Sequence, residues 1–222
     1  MARWEELRRR MVDRQLRSRG IRDKHVLVAM GQVPRHEFVP HALRRFAYDD
    51  EPVSLPRRQS VSQPYMVAVM AEALALTQTD TVLEVGAGSG YAAAVIALLA
   101  KHVYSIEWEA DLADMARTNL HRTGYDARVT IIHGDGTLGC PAHAPYDAIS
   151  VAAAASQVPA RLLEQMEPNS GRLVMPVGPE SSQQLTLVRC SPAGLRSLCI
   201  TGCRFVPLRG TQGRRYEWGF TS

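Results

Sequence analysis

No run of the ~18 consecutive apolar residues that a membrane-spanning helix needs occurs in the chain, and no hydrophobic core follows the opening arginines Arg3, Arg8, Arg9 and Arg10. Neither a membrane anchor nor a signal peptide is indicated, and a soluble, unexported, cytoplasmic protein without a membrane partner is expected. Cysteine is sparse: Cys140, Cys190, Cys199 and Cys203 form no C-x-x-C pair, and histidines such as His133 and His143 do not fall at metal-ligand spacing. That pattern argues against a disulfide framework and offers no metal site, so reduced thiols are expected. Internal repeats and low-complexity segments are also lacking. Acidic residues are few at the N-terminus, where residues 1–24 carry nine Arg/Lys against four Asp/Glu in a chain of net charge +4, leaving the remainder close to neutral. Such an excess can attract nucleic acid or an acidic protein surface, but a solvated helix face is the simpler expectation.

What the chain does have is enough apolar content, 45% of 222 residues, to build one α/β domain with a sizeable core and a modest extension. The organising stretch is Thr81-Val82-Leu83-Glu84-Val85-Gly86-Ala87-Gly88-Ser89-Gly90-Tyr91, followed by the Ala-rich segment Ala92 to Ala100. An apolar β-branched run, a glycine turn and a helix are predicted. The glycines leave room for a ligand to approach the backbone near a helix start. A dinucleotide fingerprint wants its third glycine at the place held here by Tyr91. Glu84 would repel a pyrophosphate yet suits the sulfonium and amino group of S-adenosylmethionine, the expected cofactor.

Two further strand ends carry matching chemistry. His102 to Ile106 ends at Glu107, placed to accept from ribose hydroxyls. Arg128 to His133 ends in Gly134-Asp135-Gly136, with an acid placed to meet the adenine amino group. Upstream, apolar positions between residues 4 and 30 predict two short helices joined at Ser18-Arg19-Gly20, then a proline-punctuated passage and a helix from Met66 to Leu76. Downstream, Tyr146 to Val151 reads as the fourth strand, delivering Ala152-Ala153-Ala154-Ala155 to a carboxyl edge where open α/β sheets bind ligands. A helix from about Val158 to Met166, a strand Arg172 to Val177, and an antiparallel hairpin of Gln184–Val188 and Ile200–Leu208 complete the expected sheet.

Several stretches together resemble the protein-L-isoaspartate O-methyltransferase family over nearly the whole chain. Among them are Met11 to Leu16, Val33-Pro34-Arg35, Gln59 to Met66, Leu83 to Tyr91, Gly134-Asp135-Gly136, Gly171 to Val174 and Arg204-Phe205-Val206-Pro207-Leu208. The glycine loop alone marks a methyltransferase, whereas Ser62-Gln63-Pro64-Tyr65-Met66 and Arg204 to Leu208 are far more specific. The resemblance implies a Rossmann-like S-adenosylmethionine-dependent methyltransferase: a seven-stranded, mostly parallel α/β sheet with an antiparallel C-terminal edge and an N-terminal helical cap. Residues 1–222 would form one domain, 1–76 as cap and active-site lid and 77–222 as cofactor-binding core.

It further implies that Ser62 is the active-site hydroxyl, and that Gln59, Ser60, Val61 and Ser62 close over the cofactor. Glu84, Gly86, Gly88, Gly90, Glu107, Trp108, Asp135 and Gly136 would line the cofactor site, and Ala152, Ala153, Arg204 and Val206 would meet substrate. Without the resemblance, Ser62 reads as an N-cap for the helix beyond Pro64. The chain departs from the family pattern at Pro56-Arg57-Arg58, where glycines are usual, and at Ala152, where a threonine is usual; its tail from Arg209, with Tyr216 and Trp218, finds no counterpart. The implied reaction methylates isoaspartyl residues in damaged proteins and peptides, by an enzyme expected to be a monomer. A tailoring enzyme for one dedicated peptide and a cofactor-dead binding protein are the same-fold alternatives. A nucleic-acid methyltransferase is disfavoured, because four alanines stand where such enzymes carry an Asn/Asp-Pro-Pro-aromatic motif.

Overall fold

The computed structural model describes residues 2–213; Tyr216 and Trp218 of the tail lie outside the described residues. Helix α1 (Ala2–Met11) runs on through a π turn over Val12–Leu16 and a 3-10 turn over Arg17–Arg19. Gly20, at φ +101, then ends it. Helix α2 (Lys24–Gln32) starts at Asp23, whose carboxylate accepts from the amides of His25 and Val26, satisfying two otherwise orphaned donors. It stops before Pro34, which disfavours helical backbone at Val33. A looped passage then holds the short antiparallel pair β1 (Val53–Ser54) and β2 (Ser60–Val61).

Helix α3 spans Pro64–Leu74, two residues earlier at both ends than the sequence suggests, since proline fits the first helical position and Ala75 turns left-handed at φ 47. The sheet follows as β3 (Thr81–Val85), α4 (Tyr91–Ala97), β4 (His102–Glu107), α5 (Ala110–Thr123), β5 (Val129–His133), β6 (Ala148–Val151), α6 (Ala160–Leu163), β7 (Arg172–Val177), β8 (Gln183–Ser191) and β9 (Gly194–Cys203). Its order is β5-β4-β3-β6-β7-β8-β9. Neighbours from β5 to β7 pair in parallel, and β8 and β9 are antiparallel additions. This is the seven-stranded, mostly parallel α/β architecture with an antiparallel C-terminal edge. Strand order reverses at β3/β6, so a crevice opens at the carboxyl ends of those two strands.

Three local expectations are corrected. Tyr146 stands outside β6 and bridges to Met166, its amide donating to the Gln165 carbonyl and its carbonyl accepting from the Glu167 amide, both at 2.8 Å. That demand on the backbone of residues 165–167 unwinds the expected Val158–Met166 helix, leaving α6 four residues long. The last strand also starts earlier than expected and ends at Cys203. Its N-terminal half is exposed on both faces, so it shows no alternation to read, while Arg204–Leu208 leaves the ladder and lies beside Ala154.

The core is continuous between the helical cap and the sheet. Met11, Leu16, Ile21 and Met30 are fully buried in the same cluster as Val82, Val95 and Val103. Fully buried with them is Arg35, whose Nε donates to the Ala47 carbonyl at 2.7 Å and whose guanidinium sits 4.7 Å from the Tyr91 ring centroid.

Candidate active site

Behind β3 the chain turns sharply. The amide of Gly86 donates to the Ile106 carbonyl at 2.8 Å, which fixes the start of the loop against β4. At φ +94 Gly86 holds a left-handed backbone that larger residues rarely adopt, beside Ala152. Gly90 is different: a Cβ there would press on Leu120 and on the Ala116 backbone of α5. It is a packing glycine between two helices and does not reach the cavity wall, which corrects its expected place in the cofactor site.

A cavity of about 600 Å³ opens in front of this loop, within the ~300–1,000 Å³ span of small-molecule sites. Its wall brings together Gln59, Ser60, Val61, Ser62, Gly86, Gly88, Glu107, Trp108, Gly136, Ala152, Ala153, Arg204 and Val206, all anticipated from the sequence. Glu107 ends β4 nearly buried. Its carboxylate accepts from the Gly88 amide at 2.8 Å and the Glu109 amide at 3.0 Å, so acid and glycine loop are locked to each other. Trp108 beside it keeps 45% of its surface exposed and lines the cavity. At Gly136 a Cβ would come within 2.4 Å of Val85 Cγ1, so only glycine keeps the wall flat there.

Two expected cofactor acids stand elsewhere. Glu84 lies behind the wall, 1% exposed, with one oxygen accepting from Ser105 Oγ and the other without a partner among the described residues. Burial, the largest influence, pushes its carboxyl up to about 8 despite the Ser105 hydrogen bond, and nearby Glu107 adds to the rise. At neutral pH it is therefore mostly neutral, not the negative charge read from the sequence. Asp135 is also off the wall. Its carboxylate accepts from the amide and hydroxyl of Thr137 at 2.9 and 2.6 Å, and from those of Thr211 at 2.8 and 2.9 Å. Four intramolecular donors hold the acid that was expected to meet adenine.

Ser62 sits between β2 and α3, facing the cavity. The N-cap of α3 is Gln63, which leaves the Ser62 hydroxyl without that structural duty. Gln63 instead donates its side-chain amide to the Asp50 carbonyl at 2.7 Å. The segment approaching Ser62 carries Arg57 and Arg58 at φ 59 and 58, the left-handed region that explains why glycine is usual there. Arg57 compensates with an ion pair from Nε to Asp111 at 3.0 Å, at the start of α5. Opposite, Arg204–Leu208 forms a roof. Ala154 donates to Val206 O and accepts from the Leu208 amide, each at 2.8 Å, and Gln183 clamps the Phe205 backbone from both sides. Of the alanine-edge amides, that of Ala152 is taken by Val85 O, that of Ala154 by Val206 O and that of Ala155 by Pro176 O.

Sequence reasoning missed several wall residues. Arg19, Tyr65, Glu109, Glu180 and Arg209 all line the cavity. Arg19 stacks 3.6 Å from the Tyr65 ring centroid and pairs with Asp50; within a run of arginines it looks like one more solvated charge. Arg209 pairs with Glu109, a contact across a sequence separation of 100 that no local pattern announces.

The family model described as protein-L-isoaspartate(D-aspartate) O-methyltransferase matches residues 7–213. The protein-L-isoaspartate O-methyltransferase of Herpetosiphon aurantiacus is 46% identical over 210 residues, covering 95% of this chain and 93% of the relative. That of Roseiflexus sp. is 51% identical over 203 residues, covering 91% and 92%. Among solved structures, a protein-L-isoaspartate O-methyltransferase superposes with a TM-score of 0.80 at 27% identity, covering 93% of this chain and 67% of the other. A Plasmodium falciparum chain described as a beta-aspartate methyltransferase in complex with S-adenosyl-L-homocysteine gives a TM-score of 0.78 over 91% and 98% of the two chains; at 24% identity it speaks to the fold alone.

Proposed function

The chain belongs to the protein-L-isoaspartate(D-aspartate) O-methyltransferase family, and from that membership we infer that the cavity at the β3/β6 crevice is where S-adenosylmethionine meets an isoaspartyl peptide. The protein is an S-adenosylmethionine-dependent enzyme that methylates the α-carboxylate of isoaspartyl residues and so begins their repair. The observation that carries the residue assignments is the cavity wall itself, with the Ser62 hydroxyl, an acid locked to a glycine loop, and an exposed indole on one surface.

The wall fits the cofactor. Gly86 supplies a left-handed turn and Gly136 flat backbone where a Cβ would intrude, Glu107 offers a carboxylate to hydroxyl donors, and Trp108 an aromatic face. Gln59, Ser60, Val61 and Gly88 complete the proposed cofactor side, with residues 1–76 acting as cap and lid. Ala152, Ala153, Arg204 and Val206 make the proposed substrate side. When bound, the cofactor supplies an electrophilic methyl group on a sulfonium.

A carboxyl group of pKa ~4 is already ionised at neutral pH, so the protein need supply no general base. Its contribution is to align the carboxylate oxygen with the methyl carbon and exclude water, and such orientation can lower a barrier by ~7–11 kcal/mol. Ser62 donates its hydroxyl hydrogen to the carboxylate and fixes that line. The neighbouring peptide nitrogen then attacks the methyl ester, expelling methanol and closing a succinimide, whose hydrolysis returns some normal aspartate. A monomer in the cytoplasm, acting on damaged proteins and peptides and not on nucleic acid, belongs to the same reading. Among the described residues no helix is long and apolar enough to cross a membrane.

Ser62→Ala tests the assignment. S-adenosylhomocysteine affinity by calorimetry should stay near the wild-type value, while turnover of an isoaspartyl peptide falls on the order of a hundredfold, the cost of ~1 Å of misplacement. Full activity in the variant would remove Ser62 from the reaction.

A further inference from the structure

Resting on that reading of the cavity, we propose that Arg19 and Arg204 make the substrate mouth selective for isoaspartyl peptides carrying an acidic side chain beside the damaged residue. The argument starts from the state of each charge on the wall. Glu107 is engaged by the amides of Gly88 and Glu109, Glu109 by Arg209, and Glu180 has a partner of its own. Arg204 is exposed, lines the cavity, and makes no ion pair or side-chain hydrogen bond with any described residue.

Arg19 is held differently but to the same effect. Its guanidinium carbon sits over the Tyr65 ring, 3.6 Å from the centroid, and it gives Asp50 a single nitrogen, Nη1. Asp50 is in turn fixed to Gln63, next to Ser62, at 2.7 Å. A guanidinium has five N–H donors, so most of this fork is unengaged among the described residues, and stacking has already removed much of the rotamer freedom that binding would otherwise cost. Two cations thus face the same cavity as Ser62, one of them pre-oriented, while Glu109 is paired with Arg209 and Glu107 belongs to the proposed cofactor side.

Neither arginine is suited to the reacting carboxylate. A bidentate pair would hold that oxygen back from the methyl carbon, and Arg19 keeps 43% of its side chain exposed, within reach of a flanking side chain of a bound polypeptide. A contact there is the same before and during methyl transfer, so it acts on KM and leaves kcat alone.

The test uses isoaspartyl peptides identical except for one flanking position occupied by Glu, Gln or Lys, assayed with the intact protein by base-labile methyl ester. In wild type KM should rise from Glu to Gln by about threefold to tenfold and further to Lys, with kcat alike for the three, as fits exposed to half-exposed charge pairs. Raising salt from low ionic strength to ~0.5 M should compress that spread. Arg19→Gln and Arg204→Gln should each reduce the Glu/Gln ratio of KM and their combination bring it to about one, whereas Arg204→Lys should retain most of it. Equal KM for the Glu and Gln peptides in wild type, or a preference surviving in the double variant, would overturn the proposal. Methylation of the Gln peptide by wild type reports the underlying activity in the same assay, so a missing charge preference is distinguishable from a missing reaction.

Discussion

Ser105 donates its hydroxyl hydrogen to Glu84 in register on the neighbouring strand, and neither side chain meets solvent. With Ser150 facing Glu84 from the other side, a lone carboxyl group is embedded in the centre of the sheet. Burial pushes it up to about 8 from 4.5.

The sign of its effect on stability follows. Between pH 4.5 and about 8 the folded chain keeps a proton that the unfolded chain has lost, so stability falls as pH rises through that window. Glu84→Gln keeps the neutral shape at every pH. Thermal melts should decline more steeply from pH 5 to pH 8 in wild type than in Glu84→Gln; parallel curves would contradict the buried, raised carboxyl.

Asp135 should behave in the opposite sense. Burial pushes its carboxyl up, but the hydroxyls and amides of Thr137 and Thr211 together outweigh burial and hold it below its usual 3.8. Its stabilisation is present above that value and lost as pH falls through the lowered one. Asp135→Asn should cost ~1–3 kcal/mol at pH 7, measured by denaturant midpoint, and markedly less at pH 3. An equal cost at both pH values would show that charge is not what the threonines hold.

At Glu107 the expected effect is on the cofactor. Glu107→Gln removes a charge-assisted acceptor and should weaken S-adenosylhomocysteine binding by ~1.5–3 kcal/mol. Calorimetry returning the wild-type affinity would take Glu107 out of the site.

How far these features can be read from sequence differs residue by residue. Thr81 to Tyr91 announces itself because strand, turn and helix each need their own residue types in one order, and Glu107 because it ends the next apolar run. Arg204-Phe205-Val206-Pro207-Leu208 was legible as family signature and illegible as structure. Its apolar alternation reads as strand, yet the segment is clamped by Gln183 and pairs with Ala154. The fate of Asp135 depends on Thr211, 76 residues away, and that of Glu84 on a hydroxyl in the next strand. Such contacts are decided by packing and not by local pattern, as is the role of Gly90, which faces α5 while its two fellow glycines face the cavity.

The central claim, that this cavity methylates isoaspartate by geometry alone, has one most direct test. Two peptides of identical sequence, one with aspartate and one with isoaspartate at a single position, differ by one backbone methylene and by where the carboxylate hangs. Incubated with wild-type protein and methyl-labelled S-adenosylmethionine, the isoaspartyl peptide should yield base-labile methyl ester, scored as released methanol, at least on the order of a hundredfold faster. Equal methylation of the two peptides, or of neither, would contradict the account.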